Sequence, residues 1–136
     1  MQNAEDIRKL LELWAENTRK GRLSEVLDHH AKDAVIYDVL PPLVYHGSEA
    51  YRESWGDWQP ELEGEGEFEL EDLHISASDD VGYAFGLIRC GGTYPDGRKL
   101  SDLVRATFCL EKANGKWSIW HQHISKPFSS ASRTDQ

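Results

Sequence analysis

A row of alternating glutamates limits the folds open to this chain more than any other feature of its sequence. From Glu61 to Glu71 every odd position is Glu, while the even positions carry small or apolar residues such as Phe68 and Leu70. A period of two with one charged face is typical of a β-strand whose glutamates point into water. Such a charged strand at a sheet edge discourages edge-to-edge aggregation. We therefore expect a solvated edge strand in this segment.

Further strand patterns follow this row and are separated by turn signals. We predict strands over 72–78, 81–91, 99–111 and 116–125. The breaks between them carry Asp79-Asp80, then Tyr94-Pro95-Asp96-Gly97, and finally Asn114-Gly115, which favours a tight turn into the last strand. The second half of the chain is therefore expected to form a meander of long antiparallel strands.

The start of the chain carries helix patterns instead. Apolar residues from Ile7 to Trp14 follow the i, i+3, i+4, i+7 spacing of an amphipathic helix, with Asn3 as the expected N-cap and Gly21 just past the end. A second, short helix is indicated by Leu23, Val26 and Leu27 behind Ser24, and we expect it to end near His29-His30.

A strand and a third helix complete the first half. Residues 34–39 are rich in β-branched and aromatic side chains and are stopped by Pro41-Pro42, which indicates a strand. The third helix is predicted to open at Gly47-Ser48 and to close at Pro60. Three helices followed by a strand meander indicate an α+β fold.

The charge balance limits the partners. The chain has 136 residues, with 24 acidic against 15 basic residues and a net charge of −9. This excess of negative charge would repel phosphate backbones and anionic membrane surfaces. No apolar run approaches the roughly 18 residues of a spanning helix, and the first ten residues lack the order of a signal peptide. We therefore expect a cytoplasmic protein that binds neither nucleic acid nor membrane.

The order of elements and four local stretches resemble the nuclear-transport-factor-2-like superfamily, also called the ketosteroid-isomerase-like or SnoaL-like fold. The stretches are DAVIYD (33–38), PPLVYHG (41–47), VRAT (104–107) and NGKWSIWHQHISKPF (114–128). The last of them resembles a bacterial branch of SnoaL-like proteins.

The resemblance implies a single SnoaL-like domain over 3–128, with a flexible tail over 129–136. It also implies a curved antiparallel sheet wrapped around three N-terminal helices, with a conical cavity between them (a cystatin-like roll). A homodimer through the outer face of the sheet is a further implication. Because this fold hosts isomerases, cyclases, dehydratases, epoxide hydrolases and inert association modules, the resemblance is specific for the fold rather than for the function.

Asp38 is the first catalytic candidate. It stands at the end of a predicted strand beside the Pro41-Pro42 corner, where a partly desolvated carboxylate could act as a general base on a C–H bond next to a carbonyl. The resemblance implies the same, because Asp38 matches the proton-shuttling aspartate of ketosteroid isomerases. The alternative is that Asp38 ends the strand by accepting local backbone hydrogen bonds.

The oxyanion hole of those isomerases is not matched. The resemblance places Trp14 and Thr107 at its two positions, and neither side chain is an acid. This argues against steroid isomerisation as such.

His121, His123 and Arg105 are the other catalytic candidates. The two histidines share one face of a strand, where they could act with Arg105 as acid–base groups in the cavity. They could instead face a partner subunit, and the resemblance favours this orientation, with Trp120, Gln122 and Ile124 facing the cavity. A metal site would need a third ligand such as His74, and we expect none.

The register at the Asn114-Gly115 turn bears on this choice. A three-residue loop would place Arg105 opposite His123, whereas a two-residue loop would place it opposite Ile124.

Large aromatic residues are the main candidates for the pocket wall. Tyr51, Trp55 and Trp58 form one helical stripe, which indicates either core or ligand contact. Arg89 would bind an acidic ligand group or reach solvent. The residues predicted to line the pocket are Trp14, Tyr37, Tyr51, Trp55, Trp58, Phe85, Arg89, Phe108, Trp120, Gln122 and Ile124.

Two functions remain open at this point. The first is a cofactor-free enzyme that transfers a proton on a small, largely apolar carbonyl or hydroxyl compound, with Asp38 as the base. The second is a non-catalytic ligand-binding or association domain whose dimeric sheet is its purpose, in which case Trp14, Trp55 and Trp120 should plug the cavity.

Overall fold

The computed structural model describes residues 2–58 and 63–128, with the side chains of 55–58 and 63–65 excepted. The predicted tail over 129–136, the start of the glutamate row and the helix-closing Pro60 lie outside the described residues. In chain order the elements are α1 (Gln2–Arg19), β1 (His30–Tyr37), β2 (Tyr45–His46), α2 (Ser48–Trp58), β3 (Glu63–Ala77), β4 (Val81–Thr93), β5 (Lys99–Ala113) and β6 (Lys116–Ser125). None of the helices in the described chain has both the length and the apolar character needed to cross a bilayer.

Helix α1 follows the predicted amphipathic pattern. Ile7 and Leu11 on its apolar stripe are fully buried. The helix ends in a Schellman motif, in which Gly21 adopts a φ of 71° and the amide of Arg22 donates to the carbonyl of Asn17 at 2.9 Å. The glycine is required there because residues with a Cβ atom rarely adopt this left-handed conformation.

Asn3 is not the N-cap of α1, contrary to the prediction. Asn3 lies inside the helix, which begins at Gln2. Its side chain donates to the carbonyl of Ser78 and accepts from Lys112, so it ties the helix to the sheet instead of capping it.

The predicted second helix does not form. The chain between α1 and β1 is a series of turns, closed by hydrogen bonds between residues three apart, such as that from the Glu25 amide to the Arg22 carbonyl. Because β1 begins at His30, the segment is too short to propagate a helix. Val26 and Leu27 are nevertheless buried. The described chain therefore has two α-helices, not the three expected.

The six strands form one sheet in the order β2-β1-β6-β5-β4-β3. Strands β3 to β6 pair antiparallel, as predicted. Strand β1, however, lies parallel to β6, because the chain crosses over through α2 before the meander returns beside β1. The sheet is therefore mixed, and the expectation of an entirely antiparallel sheet is wrong.

Strand β3 is an edge of the sheet, as the glutamate row predicts. The two strands predicted over 61–71 and 72–78 are a single strand with a register shift in the middle, where Asp72 adopts a φ of 54°. Glu69 is exposed and Leu70 is partly buried, in agreement with the predicted alternation.

The hairpin between β5 and β6 has a two-residue turn. Ala113 pairs with Lys116, and both turn residues have positive φ, 54° at Asn114 and 77° at Gly115. This is the type I′ geometry that an Asn-Gly pair favours.

A bulge interrupts β6 halfway along. Leu110 pairs with Ile119, whereas the preceding residue of β5, Cys109, pairs with His121. Trp120 therefore has no partner across the ladder, which is the mark of a β-bulge.

The bulge decides which face every later residue occupies. Trp117 before it and Gln122 after it are both buried on the inner face, whereas Trp120 is 40% exposed. His121 and His123 lie on the outer face, as the resemblance implied. The expectation that Trp120 shares the inner face with Gln122 is wrong, because uninterrupted alternation cannot include the extra residue.

The core lies between the inner face of the sheet and the helices. Fully buried Phe108 packs edge-on against Trp14, with ring centroids 5.2 Å apart. A Cβ atom on Gly82 would lie 2.8 Å from the Cδ1 atom of Ile7, so this glycine allows α1 to approach the sheet closely. Burial of each large apolar side chain stabilises such a core by roughly 1.5–3 kcal/mol.

Candidate functional site

A cavity of about 440 Å³ opens between the inner face of the sheet, the C-terminal half of α1 and the segment that follows β1. This volume lies in the range of small-molecule sites. The residues that line it are Trp14, Thr18, Arg19, Gly21, Leu23, Val26, Asp38, Val39, Leu40, Tyr45, Tyr51, Gly66, Glu67, Phe68, Ile88, Cys90, Gly91, Leu100, Val104 and Ile124.

Asp38 lies on the cavity wall, directly after the end of β1. Its Oδ1 atom accepts a hydrogen bond from the Val39 amide at 2.7 Å, and its Oδ2 atom accepts one from the Tyr51 hydroxyl at 2.5 Å. The first bond is the local strand-ending contact considered from the sequence. The second crosses from α2 and holds the carboxylate in one orientation. The structure therefore shows the local contact together with a second donor that the sequence did not indicate, and the role of Asp38 as a base stays a prediction.

The Tyr51 ring is itself supported from the side. It packs against Tyr45 with ring centroids 5.0 Å apart. The Tyr45 hydroxyl donates to the carbonyl of Pro41 over 3.3 Å, which is long for a hydroxyl donor. Two tyrosines from α2 and β2 thus form the wall beside the Asp38 carboxylate.

A second pair of rings forms another part of the wall. Trp14 from α1 and Phe68 from β3 meet edge to face, with centroids 5.2 Å apart. Both line the cavity. Ile124 lines it as predicted, whereas Phe108 lies behind Trp14 in the core.

Among the described lining residues only three side chains are ordinarily charged: Arg19, Asp38 and Glu67. Arg19 lies 3.5 Å from a carboxylate oxygen of Glu69 and 3.4 Å from the carbonyl of Phe68. Glu67 accepts a hydrogen bond from the Ser101 hydroxyl at 2.9 Å. The cavity therefore has two carboxylates and one guanidinium in a mostly apolar wall.

Cys90 reports the electrostatic character of this wall. Burial raises the pKa of its thiol, and the carboxylates of Asp102, Glu67 and Asp38 raise it further, against an opposing effect of Lys126. The thiol is thus protonated at neutral pH.

The predicted histidines lie outside the cavity. His121 and His123 are on the outer face of the sheet, and Tyr37 packs edge-on against both, with ring centroids 4.7 and 5.2 Å away. The Nδ1 atom of His121 is 2.7 Å from the Val35 carbonyl. The assignments of these two histidines as catalytic groups and of Tyr37 as a pocket residue are therefore corrected.

Arg105 is also on the outer face. It is exposed and lies opposite Ser125, to whose hydroxyl its Nε atom donates at 3.1 Å. Neither register considered from the sequence places it there, because the turn has two residues and the bulge adds one. Thr107 is likewise exposed and pairs with His123, so it cannot donate into the cavity.

Three further residues that were predicted to line the pocket lie elsewhere, on the outer face of the sheet or beside its edge strand. Phe85 is 46% exposed and stacks on His74 on the outer face. Arg89 donates to Glu71 at 2.8 Å beside the edge strand and does not line the cavity. Trp120 is turned outward by the bulge.

Gln122 is buried below the cavity rather than lining it. Its Oε1 atom accepts a hydrogen bond from Nε2–H of His30 at 2.7 Å. Burial lowers the pKa of His30 to about 4, against the hydrogen bond to Gln122, which raises it. The pair is therefore a neutral polar contact inside the core.

Several lining residues were missed from the sequence. Cys90 shares the inward parity of Ile88 on β4, so strand parity could have identified it. Tyr45, Arg19 and Glu67 had no comparable signal, because they meet only when three separate elements converge. Trp55 and Trp58 were also predicted to line the pocket, but their side chains lie outside the described part of the structure.

No group of three or more His, Cys, Asp or Glu side chains close enough to hold a metal ion occurs in the part of the chain that the structure describes.

Solved structures with the same architecture come from several bacteria. An NTF2-like protein of unknown function from Pseudomonas putida superimposes with a TM-score of 0.82 at 28% identity, over 96% of this chain and 91% of that one. A putative calcium/calmodulin dependent protein kinase II association domain from Xanthomonas campestris gives 0.71 at 25% identity, over 90% and 87%. A ketosteroid isomerase-like protein from Erwinia carotovora gives 0.74 at 15% identity, over 93% and 97%, and so shares the fold alone.

No curated protein is significantly similar to the chain in sequence. The SnoaL-like domain family matches residues 7–129, almost the entire length. Together with the likeness to the NTF2-like protein from Pseudomonas putida, this match shows that the chain belongs to the SnoaL-like domain family within the nuclear-transport-factor-2-like superfamily.

Proposed function

We propose that the cavity is the active site of an acid/base enzyme that needs no cofactor and acts on a small, largely apolar carbonyl or hydroxyl compound. The observation that carries this proposal is the Asp38 carboxylate, held by two donors on the wall of a mostly apolar cavity. Because the carboxylate is already held in one orientation, it needs little reorganisation when it takes a proton from a bound ligand.

The chemistry requires a base and an acceptor for the electron pair. Asp38 would take a proton from the carbon next to a carbonyl, and the electron pair of the broken C–H bond would move into the enolate. The Tyr45 hydroxyl, whose bond to Pro41 is long, is a wall donor that could exchange its partner for the enolate oxygen. Return of the proton to another carbon gives isomerisation, whereas loss of a leaving group gives elimination.

Exchange of carbon-bound hydrogen tests the base without knowledge of the natural substrate. Cyclohexanone in D₂O is incubated with the protein, and loss of its α-proton signal is followed by NMR. We expect Asp38→Asn to slow the protein-catalysed exchange by at least about 100-fold, the lower end for general-base catalysis. The matched control, Asp33→Asn, removes an exposed carboxylate of β1 outside the cavity and should exchange at the wild-type rate. Equal rates for wild type and Asp38→Asn would remove Asp38 as the base.

An association module is the second candidate. The outer face of the sheet exposes large apolar side chains at positions 37, 83, 85, 103 and 120. Contiguous exposed apolar surface marks interaction sites, and the Xanthomonas structure described as a putative association domain is 25% identical. We propose that this face forms a homodimer, in line with that likeness.

Light scattering distinguishes the two roles. Phe85→Lys should convert a dimer to a monomer, whereas Lys9→Glu, at an exposed position of α1 on the other side of the sheet, should not. A monomeric wild type would contradict the association role. Dimerisation together with no exchange activity would favour it over the enzyme.

A further inference from the structure

The lining of the cavity bears on the charge of its ligand, and this inference rests on the proposed use of the cavity as a ligand site. Among the described residues, four aromatic rings line the cavity: Trp14, Tyr45, Tyr51 and Phe68. The faces of such rings carry negative electrostatic potential and attract cations, most strongly where water is excluded. An aromatic wall is therefore suited to an organic cation as well as to a hydrocarbon.

The charged side chains favour a cation too. Asp38 and Glu67 accept hydrogen bonds from uncharged donors, namely the Val39 amide and the hydroxyls of Tyr51 and Ser101. Neither carboxylate forms an ion pair with a basic side chain of the described residues.

The guanidinium in the wall does not balance this charge. Arg19 is paired with Glu69, a carboxylate outside the lining, across 3.5 Å. Its guanidinium is therefore already in contact with a carboxylate before a ligand arrives. An anionic ligand would face two carboxylates with little compensation.

The pKa of the Cys90 thiol responds to the same negative charges. After burial, the effects on its pKa come from three carboxylates that act in one direction and one ammonium that opposes them. That ammonium, on Lys126, is itself bonded to Asp102. The net charge of −9 would in addition steer cations toward the protein.

We propose that the cavity takes a small organic cation: a ligand or substrate with a hydrocarbon body and a protonated or quaternary amine. The ammonium group lies among the aromatic rings with Glu67 and Asp38 as its counter-charges, and the hydrocarbon body fills the apolar remainder of the wall.

Three probes of one shape and different charge test this. Cyclohexylmethylamine, cyclohexylmethanol and cyclohexanecarboxylate are titrated into the protein at pH 7, and binding is followed by calorimetry and by tryptophan fluorescence. We expect the ammonium to bind roughly tenfold more tightly than the alcohol, in keeping with a desolvated cation–π and carboxylate contact. The carboxylate should bind most weakly.

A charge-removing pair of variants locates the effect. Glu67→Gln should reduce the preference for the ammonium over the alcohol several-fold. Glu12→Gln removes the same charge from an exposed position of α1 outside the lining, and should leave the preference unchanged. Circular dichroism confirms that both variants are folded, and a preference that Glu67→Gln leaves intact overturns the assignment of Glu67.

The possible failures are distinct. Equal affinity for all three probes, or tighter binding of the carboxylate, overturns the charge preference and leaves the proposed enzyme standing. Binding of none of them overturns the cavity as a ligand site, and with it both proposals. Loss of exchange activity in Asp38→Asn is measured separately and does not depend on ligand charge.

Discussion

The buried His30–Gln122 pair predicts a specific loss of stability in mild acid. His30 is only 8% exposed, and its pKa falls from the ordinary 6.5 to about 4, chiefly because burial disfavours the charged ring. Its Nδ1 atom has no hydrogen-bond partner among the described residues, so a proton added there would be poorly accommodated.

The sign and size follow from proton linkage. Between pH 6.5 and about 4 the unfolded chain binds a proton at this histidine and the folded protein does not, so the free energy of unfolding falls as the pH falls through this window. Above pH 6.5 the contribution is complete. A difference of about 2.5 pH units at about 1.36 kcal/mol each gives a loss of roughly 3 kcal/mol.

Urea denaturation followed by tryptophan fluorescence, repeated from pH 7.5 to pH 4, measures this loss. Carboxylates titrate in the same range, so wild type is compared with His30→Gln, which lacks the ring and should lose roughly 3 kcal/mol less over that range. His29→Gln removes an exposed neighbouring histidine and should follow the wild-type curve closely. Parallel curves for wild type and His30→Gln would refute the reasoning.

Three further predictions concern the cavity and its surroundings. Tyr51→Phe removes the hydroxyl that orients the proposed base, so ketone exchange should slow roughly tenfold while Tyr94→Phe leaves it unchanged; equal rates in both would contradict a positioning role. Gly91→Ala would place a Cβ atom 1.9 Å from a backbone oxygen of the facing strand, so it should lower the free energy of unfolding in urea by more than about 3 kcal/mol. Gly97→Ala has open space around the new Cβ atom and should lower that free energy by only about 1–2 kcal/mol. Arg89→Ala breaks an exposed ion pair with Glu71; it should leave the urea midpoint and the ligand affinity unchanged, and a loss of affinity would return Arg89 to the pocket.

Elements with uninterrupted periodicity were predictable from the sequence. The stripe from Ile7 to Leu11 identifies the buried face of α1, and Asn114-Gly115 identifies the hairpin turn, because helix spacing and turn chemistry are local properties. The family could be recognised for the same reason, since the order of these elements is retained along the chain.

The faces of residues beyond a bulge were not predictable. The extra residue at Trp120 reverses the inner and outer faces for all later residues of β6. The extra residue at Asp72 has the same effect on β3. Nothing local distinguishes these residues from their neighbours, because a bulge is set by the partner strand and by the curvature of the whole sheet.

The candidate site was predictable only in part. Asp38 could be singled out because a carboxylate at a strand end beside two prolines is a local signal. Its contact with Tyr51, by contrast, depends on where α2 docks against the end of β1. Contacts of this kind between distant elements leave no trace in the periodicity of either element.

The bulge at Trp120 has a consequence for the comparison of relatives. If this residue were deleted, Leu110 would still face Ile119 and Cys109 would still face His121, so every rung of the ladder would survive with its side chains on their present faces. A relative with a regular strand here should therefore be one residue shorter. An alignment could instead place the compensating gap at the hairpin turn. It would then pair the outward Trp120 of this chain with the inward isoleucine of the relative, and residue roles would be transferred to the wrong face of the sheet.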